Sequence, residues 1–176
     1  MKSLNRLGIA LAGLMLTTGL GVAAETAKLT DPQIAHIAYT ADNVDIEAAK
    51  LALKTSKTKA VQDFAENMIR DHEAVNKQAL ALVAKLKVTP EDNPTSQALT
   101  KQAAATQAHL ATLKGAAFDK AYVDNEVAYH HAVNGALETT LIPATQSAEL
   151  KDLLTTGLKI FKGHEEHARM VAGKLK

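Results

Sequence analysis

Two stretches of this chain step by four and three residues over about seven helical turns each, and both carry a histidine within an otherwise apolar stripe. Val61, Ala65, Met68, His72, Val75, Ala79, Leu82 and Leu86 form one seam; Leu150, Leu154, Gly157, Phe161, His164, Ala168, Val171 and Leu175 form the other. A 4-3 step keeps one stripe of an α-helix turned toward a partner helix. An imidazole in such a stripe loses water and must find a hydrogen-bond partner or a metal. The pattern therefore predicts an all-α helical bundle with a polar centre.

Punctuation along the chain sets the helices. Thr30-Asp31-Pro32 places a capping residue before a proline in the first turn and starts helix A, which runs to about Thr55. Ser56-Lys57-Thr58 allows only a short turn before helix B, which continues to about Lys87. Asn93-Pro94 caps a weakly apolar segment reaching about Leu113, and Gly115 breaks it. Helix C then covers about Ala117 to Leu141 and stops at Ile142-Pro143, because proline cannot continue a helix. Helix D runs from about Ser147 nearly to the end. With a tight A–B turn and a helical segment between B and C, the expected fold is a ferritin-like four-helix bundle with a helical crossover between the second and third long helices.

Residues 1–24 have the anatomy of a secretory signal peptide. Lys2 and Arg6 precede an apolar run from Leu7 to Leu20, and Val22-Ala23-Ala24 supplies small residues before Glu25. The expected domain is then 25–176, periplasmic or otherwise associated with the cell envelope, with no transmembrane segment. Lys2 and Arg6 are two of the 20 basic residues and the segment holds none of the 19 acidic ones, so residues 25–176 carry a formal charge of −1. That balance argues against nucleic acid as a partner. The chain has no cysteine, which excludes disulfides, thiolate ligands and a thiol nucleophile. A homo-oligomer stays open.

Helical rise converts sequence position into depth in the bundle. Counted from the A–B turn, Asp45, His72, Glu126, His130 and His164 fall within about 8 Å of one level. Facing supports the grouping. Asp45 lies within the small-residue stripe of Ala38, Ala41, Ala49 and Ala52, while Glu47 falls on a solvated face. Glu126 lies near the apolar face bearing Phe118, Tyr122, Tyr129 and Val133, with His130 at its margin and His131 turned away. His167 flanks His164, again at a margin, and His36 and His109 read as surface residues.

Two readings of this layer compete. Asp45, His72, Glu126, His130 and His164 can hold a divalent transition metal, Fe, Mn, Zn or Cu, since imidazole and carboxylate suit all four. Alternatively each imidazole meets a carboxylate or tyrosine hydroxyl, giving a hydrogen-bonded layer that fixes helix register without metal. Di-iron bundles use Glu-x-x-His twice. No Glu or Asp here stands three residues before a His, which argues against a ferroxidase centre. Asp71 and His72 are adjacent on a helix and cannot share one seam, so Asp71 is expected to pair with Arg70, Lys77 or solvent, or to support an adjacent helix. Met68 and Met170 occupy apolar positions and read as packing residues, not soft-metal ligands.

Several of these residues also carry a family resemblance. Asp45-Ile46-Glu47-Ala48-Ala49-Lys50-Leu51-Ala52, the run Val61-x-x-Phe64-Ala65-x-x-Met68-Ile69-x-Asp71-His72, Phe118-Asp119-x-x-Tyr122, His130 and His164 resemble the domain of unknown function 4142 family in order and spacing. The resemblance implies a ferritin-like exported bacterial protein. That family usually carries Glu where Asp45 stands, and commonly Leu-Pro where this chain has Ile160-Phe161. The expectation is a non-catalytic metal-binding or stress-associated envelope protein. The rivals are a metal-dependent oxidoreductase acting on peroxide or oxygen, and a structural or interaction module with no metal.

Overall fold

The computed structural model describes residues 28–175, so the expected signal peptide, residues 1–24, lies outside the described part. Four long helices form the bundle: α1 (Asp31–Thr55), α2 (Lys59–Leu86), α4 (Gly115–Ala136) and α6 (Ala148–Ala172). Helix α3 (Pro94–Ala111) is the crossover, and α5 (Ile142–Ala144) is a single turn. The ferritin-like bundle read from the sequence is the fold observed.

Local chemistry explains the starts. Thr30 accepts from the Gln33 N–H while the Gln33 side chain returns to the Thr30 N–H, a closed capping box with Pro32 in the first turn. Asn93 caps α3 in the same way, accepting from the Thr95 and Ser96 amides as Ser96 Oγ accepts from the Asn93 N–H. Helix α2 ends on Lys87, held in the left-handed region at φ 53° so that its N–H and that of Val88 can close onto the last turn.

Helix C does not stop before its proline. The chain passes from α4 through a π-helical turn, Leu137–Leu141, directly into α5, and leaves helical geometry only at Thr145. In a regular α-helix the ring of Pro143 would press on the carbonyl of Thr139. Here the Ile142 N–H bonds back five residues to Leu137, and that widened turn makes room for the proline. Thr145 then caps the end, its N–H and hydroxyl both donating to the Leu141 carbonyl at 3.1 and 2.7 Å.

The packing partners are α1 with α2, α4 with α6, α2 with α6, and α1 with α4; α3 lies outside, mainly along α1. Helix α3 buries only Ser96 and Leu110. Its weak apolar face matches a segment whose task is to return the chain to the α1–α2 turn, where Thr58 Oγ1 donates to Asp119 near the start of α4. Helices α2 and α4 consequently run parallel.

The core falls into two apolar halves. Around the α1–α2 turn, Val61, Phe64, Met68, Phe118, Tyr122 and Val171 pack together. At the opposite end the packing is Ile34, Ile37, Val75, Leu137, Leu154 and Phe161. Between them lies the polar layer that both histidine seams cross.

Asp31 joins the far ends of the chain. Its carboxylate accepts from the backbone N–H groups of Gln146 and Ser147 at 2.8 and 2.7 Å, tying the start of α1 to the start of α6. Asp31→Ala leaves both donors without this charged acceptor and is expected to lower stability by about 1–3 kcal/mol, read by urea denaturation. An unchanged midpoint would show that water replaces the carboxylate at no cost.

Candidate metal centre

Each long helix delivers polar groups to the middle layer: Asp42 and Asp45 from α1, Asp71 and His72 from α2, Glu126 and His130 from α4, and His164 from α6. Asp45, His72, Glu126, His130 and His164 are all buried. The structure thus brings together all five residues read from the sequence. His130 is fully enclosed, not marginal, because the α4–α6 pairing closes over it.

The three imidazoles face one another. Ring centroids stand 5.8 Å apart for His72 and His130, 5.2 Å for His72 and His164, and 5.4 Å for His130 and His164. Each ring brings one nitrogen to within 4.8 Å of a nitrogen of the other two. In every ring one nitrogen is held from behind. His72 Nδ1 lies 2.9 Å from Asp42 Oδ1, His130 Nδ1 lies 3.0 Å from the Glu126 carbonyl, and His164 Nε2 lies 3.0 Å from Asp71 Oδ2. The remaining nitrogens, His72 Nε2, His130 Nε2 and His164 Nδ1, are buried with no hydrogen-bond partner.

This is how imidazole ligands are normally presented to a metal: a carbonyl or carboxylate holds one N–H, which fixes the tautomer and leaves the other lone pair aimed inward. A carbonyl only accepts, so His130 carries its proton on Nδ1. Arg70 donates to both oxygens of Asp71 at 2.7 and 3.0 Å and holds that carboxyl below its usual range, so Asp71 accepts from His164 Nε2. The sequence expectation that Asp71 pairs with Arg70 or supports a neighbouring helix is met on both counts.

Asp45 stands beside two of the three rings. Its Oδ2 is 3.3 Å from His72 Nε2 and 3.7 Å from His130 Nε2. Two ligands each about 2.1 Å from a tetrahedral ion stand about 3.4 Å apart, so these separations fit a shared cation. The buried Glu126 carboxyl comes within 3.6 Å of His130 Nδ1 and lies close enough to Asp45 for the two carboxyls to share a proton. Asp45, Glu126 and His130 form a second group whose donor atoms lie within 4.8 Å of one another.

Burial dominates the electrostatics. It lowers His72 and His164 to about 4 and His130 to about 3, the last helped by the two neighbouring imidazoles. It raises Asp42 to about 8 and Glu126 to about 7, and lifts Asp45 well above the carboxylate range, with Glu126 and Asp42 adding to the push. Left to itself, the layer favours neutral imidazoles and protonated carboxyls. A divalent cation inverts this preference, because its charge stabilises the carboxylates that burial disfavours. Binding therefore releases protons.

Three features escaped the sequence reading. Asp42 stands three residues before Asp45, the right spacing for one helical face, and that was its only signal. Phe161 stacks on His72 at a centroid distance of 4.7 Å and an angle of 11°, closing the layer toward the lower core. Gly157 makes this stack fit, since a β-carbon there would stand 3.2 Å from the Phe161 ring. The peripheral histidines divide. His131 and His109 are exposed, and His131 meets Glu165 at 3.2 Å. His167 packs edge-on against Phe64, and His36 is half-buried and not the surface residue expected.

Fold and site together define a helical bundle with a crossover helix and a buried histidine–carboxylate centre. The chain belongs to the domain of unknown function (DUF4142) family, whose model matches residues 18–171. No curated protein matches it. Among solved structures it is similar to "CopM in the Cu(II)-bound form", with a TM-score of 0.64 and 14% identity over 85% of this chain and 99% of that one. At that identity the likeness is one of fold.

The shifted carboxyls set a pH dependence. The three histidines are neutral in the folded chain above about pH 6.5, and their unfolded counterparts lose their protons by about pH 7.5, a slope of opposite sign that fades there and that the carboxyls outweigh. Asp42 and Glu126, raised to about 8 and about 7, keep protons in the folded state that the unfolded chain has already lost. The stability they lend is complete below about pH 4 and disappears as pH rises through their folded values. Metal-free protein should therefore lose stability between about pH 6.5 and 8.5, and Asp42→Asn should flatten the decline, as measured by urea midpoints in chelator. A midpoint that rises over this interval would contradict the burial of these carboxyls.

Proposed function

We propose that this protein holds one transition-metal ion in the centre of its bundle, bound by His72, His130, His164 and Asp45, with Glu126 alongside. The observation that carries the reading is the set of three buried ring nitrogens without partners, each in an imidazole whose other nitrogen is already engaged. A purely hydrogen-bonded layer would leave those nitrogens without a hydrogen bond among the described residues, at a cost comparable to that of lost hydrogen bonds.

Donor chemistry narrows the ion. Imidazole nitrogen with carboxylate oxygen, and no sulfur in the cluster, suits Cu(II) or Zn(II) better than Cu(I). The likeness to a bundle solved in a Cu(II)-bound form makes copper the first candidate. The three imidazoles form one donor group and Asp45 stands beside two of them, so an ion held there would draw on side chains of four helices. The lack of any Glu-x-x-His motif in the sequence supports a binding protein over a di-iron oxidoreductase. What the metal would supply is affinity and cross-linking of four helices; the protein's own residues orient the imidazoles and exclude water.

Elemental analysis of protein purified without chelator or metal-affinity tag tests the assignment, and about one Cu or Zn per chain is expected. His72→Leu and His164→Leu should leave a folded bundle, because leucine fills an apolar seam, yet abolish stoichiometric binding. His72→Asp should destabilise by about 3–5 kcal/mol through a buried charge without a matched partner. Asp42→Asn and Asp71→Asn remove only the supports behind the ligands and should weaken affinity about 10–100-fold. Unaltered affinity in the histidine variants would sink the centre and favour the metal-free layer.

The reading places the protein outside the cytoplasm, in the cell envelope, through a cleaved leader at residues 1–24. The basic, apolar and small-residue order of that segment supports it, and no helix among the described residues is long and apolar enough to cross a membrane. Mass spectrometry of exported protein should find Glu25 as the first residue; an intact Met1 would refute processing.

A further inference from the structure

The lower core is underfilled in a way the upper core is not. Around the α1–α2 turn the aromatic rings of Phe64, Phe118 and Tyr122 pack edge-on and stacked. At the opposite end a cavity of about 610 Å³ opens between α1, α2, α4 and α6 and along α3. Buried Ala35 and Ala41 and partly buried Ala38 and Ala79 line its inner part, with exposed Ala132 and Ala136 at the edge, so small side chains leave the space open. The cavity opens to solvent at its rim, so water can enter it, and water against a mostly apolar lining is readily displaced by an apolar ligand. The size of the cavity is that of a small-molecule site, which commonly spans roughly 300–1,000 Å³.

The walls specify the occupant. Ile37, Leu137, Leu150 and Leu154 make most of the lining aliphatic, and Leu80, half exposed, stands at the rim. Among the described residues no lysine or arginine lines the cavity, and its inner end carries Asp42. An anionic head group would find no cationic partner on that lining and would be repelled or desolvated beside Asp42, which disfavours fatty-acid anions and phospholipid phosphates. Hydrogen-bonding capacity is present, however. His36 lines the cavity with a buried Nδ1 that has no hydrogen-bond partner, 3.8 Å from the nearest Asp92 oxygen, and Gln102 and Asn125 lie on the same lining.

We propose that this cavity binds a neutral, largely hydrocarbon small molecule bearing a hydroxyl or carbonyl oxygen. The site is separate from the metal centre, although Asp42 and Phe161 at its inner end both touch His72. It does not depend on a metal being bound.

The neutral fluorophore N-phenyl-1-naphthylamine is a direct probe. The purified protein should bind it one to one with enhanced, blue-shifted emission, and hexadecan-1-ol should displace it at about tenfold lower concentration than palmitate, which has the same chain with an anionic head. Ala38→Phe and Ala79→Phe fill the cavity from two partly buried positions and should each weaken dye binding about tenfold or more while retaining the metal stoichiometry of the parent protein. Using both guards against one variant misfolding, and circular dichroism confirms helicity. Loss of metal binding in the His72→Leu protein with dye binding intact would separate the two sites. Absence of dye binding, whether or not a second copy of the chain fills the space, would overturn the proposal. So would displacement by palmitate as effective as by the alcohol, or dye binding unaffected by both phenylalanines.

Discussion

The arrangement of the polar layer rests on how each imidazole is held at one nitrogen only. Asp42, the Glu126 carbonyl and Asp71 each take one ring position of His72, His130 and His164, and none can reach the other. A buried imidazole satisfied at both nitrogens would be a finished structural element. One satisfied at a single nitrogen keeps a lone pair that the apolar surroundings cannot hydrate. Three such open ring positions, with Asp45 Oδ2 at 3.3 Å from His72 Nε2 and 3.7 Å from His130 Nε2, concentrate unsatisfied hydrogen-bonding capacity in one layer. The fold encloses this layer between two apolar cores, with the Phe161 ring lying over His72 on the side of the lower one.

Burial gives the layer a second property. Carboxyls pushed up and imidazoles pushed down yield a centre that avoids net charge when it carries protons. Exchanging protons for a divalent ion keeps the low-dielectric interior close to neutral while satisfying the open lone pairs. Arg70 contributes from the surface, since its hold on Asp71 keeps one supporting carboxylate ionised where the deeper ones are not.

The two core halves have different demands. The upper half is dense and aromatic, and it anchors the α1–α2 turn against the starts of α4 and the end of α6. The lower half is built from alanines and aliphatics around open space, and it is pinned at its rim by Asp31 bonding to Gln146 and Ser147. The widened turn at Leu137–Leu141 also lies in this half, where it lets a proline enter a continuous helix and brings Leu137 and Leu141 against the core. Gly157 links the halves, because the room it leaves allows Phe161 to lie flat on His72 and separate the cavity from the metal centre.

The sequence alone determined the helices, their direction and the level of the polar layer. Those follow from apolar periodicity, capping residues and a fixed rise per residue, all local properties of the chain. Asp45, His72, Glu126, His130 and His164 were legible because depth and facing can be counted along each helix separately. Only the tertiary structure decided what faces what. Asp42 became a partner of His72 through the α1–α2 pairing, His130 was enclosed through the α4–α6 pairing, and Asp71 reached His164 across α2 and α6. Which ring nitrogen stays free depends on these cross-helix contacts, and no spacing rule encodes them. The π turn at Pro143 was hidden for a related reason: proline forbids the regular ladder, but whether the chain stops or widens is settled by what the following residues pack against. The cavity was least visible of all, because alanines at inner positions read as close packing until the distances between helices are known.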